Sequence, residues 1–130
     1  MIGRRTFVAG AAGAAFLPVE VFAMDEAQAR MHGLIGRMRC QPGQRDAVLA
    51  ILLEGTGEMP GCLSYIVARD PGDVDAIWIT EVWDSRASHR ASLQLPAVRA
   101  AIQRARPMII GFDNNHETIP VGGAGLARRG

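Results

Sequence analysis

Between Met31 and Cys40 the chain alternates. His32, Leu34, Gly36, Met38 and Cys40 fall on one side of an extended segment, with Ile35, Arg37 and Arg39 on the other. That period of two predicts a strand over 31–40. Gln41-Pro42-Gly43 ends it, because Pro42 biases its predecessor away from helical dihedrals. The period then changes. Over 44–54, Ala47, Val48, Ile51 and Leu52 recur at helical spacing, Leu49 and Leu53 widen the stripe, and Arg45, Asp46 and Glu54 stay polar. Gly55 and Gly57 are expected to stop this helix.

After the Pro60-Gly61 break, alternation returns over 62–69, with Leu63, Tyr65 and Val67 on one face. Asp70-Pro71-Gly72-Asp73 is turn chemistry, since Pro presets φ and Gly tolerates positive φ. The strand over 76–83 puts Ile77, Ile79, Glu81 and Trp83 on one face and Trp78, Thr80 and Val82 on the other. A carboxylate between Ile79 and Trp83 on an otherwise apolar face is the anomaly of the sequence.

A second helix starts at an Asp84 or Ser85 cap and runs to about Leu93. Pro96 suits the first turn of a third, with Val98, Ala101, Ile102 and Ala105 inward, and Pro107 ends it. A last strand over 111–119 alternates Phe112, Asn114, His116 and Thr118 against Asp113, Asn115, Glu117 and Ile119. The order βαββ(αα)β predicts an α+β domain, an antiparallel sheet with helices on one face. Large apolar side chains on both faces of the two middle strands predict that the second face is covered as well, by self-association.

Composition narrows the classes. The chain has 130 residues and a formal charge of +1, with no lysine, so no basic field points to nucleic acid. Removing two atypical ends leaves one domain of about 90 residues, small enough to gain stability by dimerising. Residues 1–29 hold a twin arginine, Arg4-Arg5, an Ala/Gly-rich apolar run, and small-x-small sites ending at Ala23 and Ala29. That is the form of a twin-arginine export signal, which implies periplasmic or exported protein. A start at Met24 or Met31 would instead imply a cytoplasmic one. The apolar run is too short and Gly-rich to anchor stably in a membrane. The domain is then 30–119, and 120–130, without apolar period, is expected to be disordered.

The sequence contains no CxxC, HExxH, Gly-rich phosphate loop or G-x-S-x-G, so no metal or cofactor is expected. Candidate substrate-binding residues are Tyr65, Trp78, Glu81 and Trp83, as walls of an apolar pocket with one polar group. The competing reading makes the aromatics core and pairs Glu81 with Arg37 or Arg39 on the neighbouring strand. His89, Asn114 and His116 are candidate catalytic residues, able to hydrogen-bond a substrate hydroxyl or an oxyanion, or else surface groups. His32 falls on a separate element and reads as a lone histidine.

Pro60-Gly61-Cys62, Tyr65, Asp70-Pro71, then Glu81-x-Trp83-Asp84-Ser85 and a helix reaching Leu93-Gln94-x-Pro96 resemble the antibiotic biosynthesis monooxygenase family, in its quinol monooxygenase branch. The resemblance spans about residues 31–119. It implies a ferredoxin-like fold, a homodimeric α/β barrel, and cofactor-independent oxidation of a small hydroquinone or phenol by O₂. Two departures favour an alternative, a non-catalytic small-ligand-binding or stress-response module. Quinol-monooxygenase relatives carry histidines where this chain has Ser92 and Ala97, and haem-degrading relatives carry a ligand histidine where Ile102 stands. The fold also implies that the strands ending at Cys40 and starting at Cys62 are parallel, with a strand between them. No disulfide is therefore expected, since the bond needs Cα atoms within about 7 Å.

Overall fold

A computed structural model describes residues 30–127; the export signal expected over 1–29 lies outside the described residues. The described elements run β1 (His32–Cys40), α1 (Arg45–Gly55), β2 (Cys62–Arg69), β3 (Ala76–Trp83), α2 (Arg86–Ser92), α3 (Pro96–Ala105), a 3₁₀ turn (Arg106–Met108) and β4 (Ile109–Thr118). The strands form one antiparallel sheet in the order β2-β3-β1-β4, with helices packed on one face. This is the ferredoxin-like α+β architecture that the element order predicts.

Register decides what shares a face. His32 lies opposite Trp83, Leu34 opposite Glu81, Gly36 opposite Ile79 and Met38 opposite Ile77, while Tyr65 and Val67 of β2 flank Glu81 and Ile79 from the other side. All of these point toward the helices, as their period of two requires. Met38, Cys40, Ile77 and Ile79 meet Val48, Leu49, Ile51 and Leu52 of α1 and Ala101 and Ala105 of α3 in the main core. A second cluster, Met59, Trp83 and Val98, lies beside it, and Tyr65 packs against both. Gly55 has a different reason from a left-handed helix stop. A Cβ there would strike the Cβ of Ala101, so its missing side chain lets α1 and α3 approach. Leu53, expected to widen the stripe of α1, is 62% exposed.

The hairpin turn is closed by Asp70, whose Oδ1 accepts the Gly72 N–H at 2.7 Å. Gly72 is not among the glycines with positive φ, so the aspartate rather than glycine's freedom makes this turn. In β2, Cys62 pairs with Trp83 and Ser64 with Val82, which leaves Leu63 as an extra, bulged residue.

Strand β4 differs most from expectation. It starts two residues early, because Pro107 sits in the 3₁₀ turn and pairing begins at Cys40 with Ile109. Its simple alternation also fails. Asp113 pairs with Arg37 but His116 with Ile35, so an irregularity at Asn114–Asn115 inserts a residue, and Asn114 takes φ 53°. Phe112 and Glu117 consequently share the helix-side face, opposite Met38 and Leu34. Beyond the sheet, residues up to Ala127 form no helix or strand, and the Ala127 N–H donates to the Leu63 carbonyl at 2.9 Å. Cys40 and Cys62 are both free thiols, and β3 separates their strands. Cys62 is level with Trp83 and His32, at the opposite end of β1 from Cys40.

Candidate active site

Glu81 and Trp83 are two apart on β3 and therefore share a face. The Trp83 indole Nε1–H donates to Glu81 Oε1 at 2.9 Å, and Trp83 is 1% exposed. The pairing expected with Arg37 or Arg39 does not occur. Arg37 projects from the other face of β1, where it bonds Asp113 and Asp70.

Glu81 instead faces His89. Helix α2 brings it there, capped by Ser85, whose Oγ accepts the Ser88 N–H at 3.1 Å. Gly61, at φ 84°, lets this short helix settle on the sheet, since a Cβ at Gly61 would run into the Ser88 side chain. His89 Nε2 then lies 3.9 Å from Glu81 Oε1, and its ring meets Trp83 edge-on at 5.3 Å between centroids. Ser92, one turn on, is buried and donates its hydroxyl to the His89 carbonyl at 2.6 Å.

These groups line a cavity of about 200 Å³ between sheet and helices, where the two core clusters meet. Tyr65, Glu81, Trp83, His89 and Ser92 supply its polar atoms, and Met38, Leu52, Met59 and Val98 are among its apolar walls. Burial pushes the Glu81 carboxyl above its ordinary range, against the opposing effect of the indole hydrogen bond and of His32. Burial likewise holds His89 below its ordinary value, helped by Arg86 and Arg90. Tyr65 is pushed well up by burial and by Glu81, so it remains a neutral phenol. A neutral imidazole beside a desolvated carboxyl, at the end of an apolar cavity, can accept a proton from a bound hydroxyl group.

His32 belongs with this set, although its sequence position reads as isolated. It is 5% exposed on the helix face of β1, its ring 5.5 Å from that of His89, and its Nδ1 is 3.6 Å from Glu117 Oε2. Arg86 holds Glu117 from the other side at 2.7 Å. Burial and then Arg86 lower the His32 pKa, against Glu117. The available signal was the one that singled out Glu81: a titratable residue on an otherwise apolar strand face.

The remaining candidates do not converge here. Trp78 lies on the opposite face, donating its indole N–H to Asp70 Oδ2 at 2.8 Å. Asn114 sits on the bulge, exposed, with its amide directed to Asp113 at 3.5 Å. His116 is exposed, paired with Ile35 and absent from this cavity, but it lines a neighbouring space that Glu81 also borders. Ala97 is exposed on α3, and Ile102, expected inward, is 37% exposed at the cavity's rim. Among the described residues no group of three or more His, Cys, Asp or Glu could hold a metal ion, and no helix is long and apolar enough to cross a membrane.

A family model described as antibiotic biosynthesis monooxygenase matches residues 31–104. Among solved structures, a protein from Chloroflexus aurantiacus J-10-fl, assigned as an antibiotic biosynthesis monooxygenase, is 65% identical, with a TM-score of 0.73 over 75% of this chain and 99% of that one. A protein with the same assignment from Caulobacter crescentus CB15 is 18% identical, with a TM-score of 0.62 over 78% of this chain and 99% of that one. Another from Nitrosomonas europaea is 12% identical, with a TM-score of 0.62 over 73% and 92%. The last two speak for the fold alone. No curated protein matches the chain. With the family model covering more than half of the sequence, and the Glu-x-Trp strand and the helices around it in place, the chain belongs to the antibiotic biosynthesis monooxygenase family.

Proposed function

We propose that this protein is a cofactor-independent monooxygenase or quinol oxidase acting on a small hydroquinone or phenol with O₂. The observation that carries the reading is the Glu81–His89 pair at 3.9 Å inside an apolar, aromatic-walled cavity. An engineered cavity of about 150 Å³ takes up benzene, so about 200 Å³ accommodates one substituted ring. Neutral His89 accepts the proton of the ring hydroxyl, and Glu81 holds the imidazolium that results. The phenolate then gives one electron to O₂, and the semiquinone and superoxide combine to form a carbon–oxygen bond. Loss of water from the hydroperoxide leaves one hydroxyquinone and one water per quinol and O₂. Without that bond, a second electron and two protons give quinone and hydrogen peroxide.

Oxygen uptake by purified protein over a panel of hydroquinones tests this. His89→Gln should lower kcat by about 10²–10⁴ with little change in KM, the usual contribution of a general base. Because burial holds His89 below 6.5, the acid limb of the rate profile should lie below that pH. Binding of phenols without any oxygen uptake would instead support the ligand-binding module, the reading that Ser92 and Ala97 favour.

We also propose that residues 1–29 direct export. Replacing Arg4 and Arg5 with Lys should then leave precursor in the cytoplasm, and unchanged delivery to the periplasm would remove the proposal.

A further inference from the structure

The inner cavity does not end at the Glu81–His89 pair. Ile79, Glu81 and Phe112 border it and also border a second space of about 410 Å³ over the β1–β4 side of the sheet. That trough is lined from strands alone, with Leu34 and Gly36 as its floor and Asn115 at its far wall. Gly36 gives it depth, since a Cβ there would meet the Asn115 side-chain amide that the β4 irregularity turns over it. Phe112, at the junction, is 55% exposed. A large aromatic left half in water beside an apolar cavity is surface that a ligand would remove from solvent.

We propose that this trough is a second subsite, holding a short apolar substituent of the ring bound in the inner cavity, so that the substrate class is an alkyl-substituted hydroquinone or phenol rather than a bare ring. The inference rests on the aromatic-substrate reading and narrows it. The two spaces adjoin at three shared side chains, so a ring in one places its substituent next to the other. Their chemistry divides as such a molecule does. Glu81 stands at the junction and His89 in the inner cavity, while Leu34, Ile35, Ile79 and Phe112 present carbon to the outer one, where Asn115 and His116 are the other polar groups. Their sizes divide the same way, because an inner space of about 200 Å³ takes one ring with little volume left over for a chain.

The test is anaerobic binding of a series of 4-alkylphenols and alkylhydroquinones to the full chain, followed by tryptophan fluorescence, with Trp83 in the cavity wall as reporter. Kd should fall about three- to fourfold per methylene over the first several carbons, then level off as the chain emerges past Phe112. Gly36→Val fills the floor and should flatten that slope to less than twofold per methylene while leaving unsubstituted hydroquinone unaffected. Its added side chain displaces only the end of the exposed Asn115, and an unchanged urea midpoint checks the fold. Phe112→Ser, at an exposed site that borders both spaces, is the second variant and should weaken the longer members most. A flat series in the native protein, or an unchanged slope in both variants, overturns the subsite. A steep slope without oxygen uptake keeps the subsite and removes the oxidation, and no binding of any phenol removes both.

Discussion

Two tryptophans on β3 make the same hydrogen bond on opposite faces of the sheet, yet the two carboxyls that accept it are shifted in opposite directions. Trp83 donates to Glu81 at 2.9 Å beneath the helices, and Trp78 donates to Asp70 at 2.8 Å on the uncovered face. Asp70 also receives the Gly72 N–H and Arg37, whose guanidinium forks onto Asp113 and lies 6.0 Å from the Trp78 ring. The Gly72 N–H first, and then the indole and Arg37, hold the Asp70 carboxyl below its ordinary range. Glu81 has the indole and a neutral imidazole but no cation among its close contacts, and burial raises it. A carboxylate that a fold uses for its own support is surrounded by donors and stays charged. One that is buried and left short of donors costs stability, and such a cost at the end of a cavity marks a working group.

The largest break between the two faces should come from truncating the tryptophans. Trp83→Ala removes a fully buried ring at the junction of cavity and core and should cost about 3–5 kcal/mol. Trp78→Ala, half-buried on the open face, should cost on the order of 1 kcal/mol. Urea unfolding of both variants decides this, and equal losses would mean that the open face is as closely packed as the covered one.

The carboxylates should differ in sign. The folded pKa of Glu81 is raised, so its contribution to stability is present at low pH and is lost as pH rises through the folded value. Glu81→Gln keeps an acceptor for the indole and should therefore raise the urea midpoint at pH 7 relative to the native protein, with the gain vanishing toward pH 4. The folded pKa of Asp70 is lowered, so its contribution is present above about 4 and is lost as pH falls through the folded value. Asp70→Asn should lower the midpoint at pH 7 and leave less to lose on acidification. A stabilising Asp70→Asn or a destabilising Glu81→Gln at pH 7 would undo the contrast.

The smallest expected effect concerns the open face itself, where Ile66 is 57% exposed and Trp78 only half-buried. If that face pairs with a second copy, light scattering at micromolar concentration should give a dimer, burying on the order of 1,500–2,500 Å² in total. Ile66→Asp should weaken association by about 1–2 kcal/mol and leave phenol binding in the helix-side cavity intact. A stable, well-folded monomer would refute the barrel arrangement.

Much of this was open to reading along the chain. Ile77, Ile79, Glu81 and Trp83 share a face because strand geometry leaves no choice, and so the unusual carboxylate and its indole neighbour were legible together. The Ser85 cap and the Pro96 start fixed the ends of α2 and α3 for equally local reasons. His116 and Asn114 stand apart from the Glu81–His89 pair because one inserted residue reverses every later side chain of β4, and no turn residue announces it. His32 was passed over because its partners come from α2 and β4, far away in sequence.

By itself, then, the sequence determined the elements, their order, and which side chains of each strand travel together, since these follow from backbone periods and from short-range turn and cap chemistry. It also carried the family. Only the tertiary structure decided which face of the sheet the helices cover with a cavity, that Glu81 meets His89 rather than an arginine, and that Trp78 belongs to a separate ion-pair network. Those outcomes depend on strand pairing and on helix approach, the latter set by missing side chains at Gly55 and Gly61, while the irregularity at Asn114 decides where His116 and Glu117 fall. Small shifts of that kind move a side chain by a whole residue or across a sheet, and nothing in a local pattern fixes them.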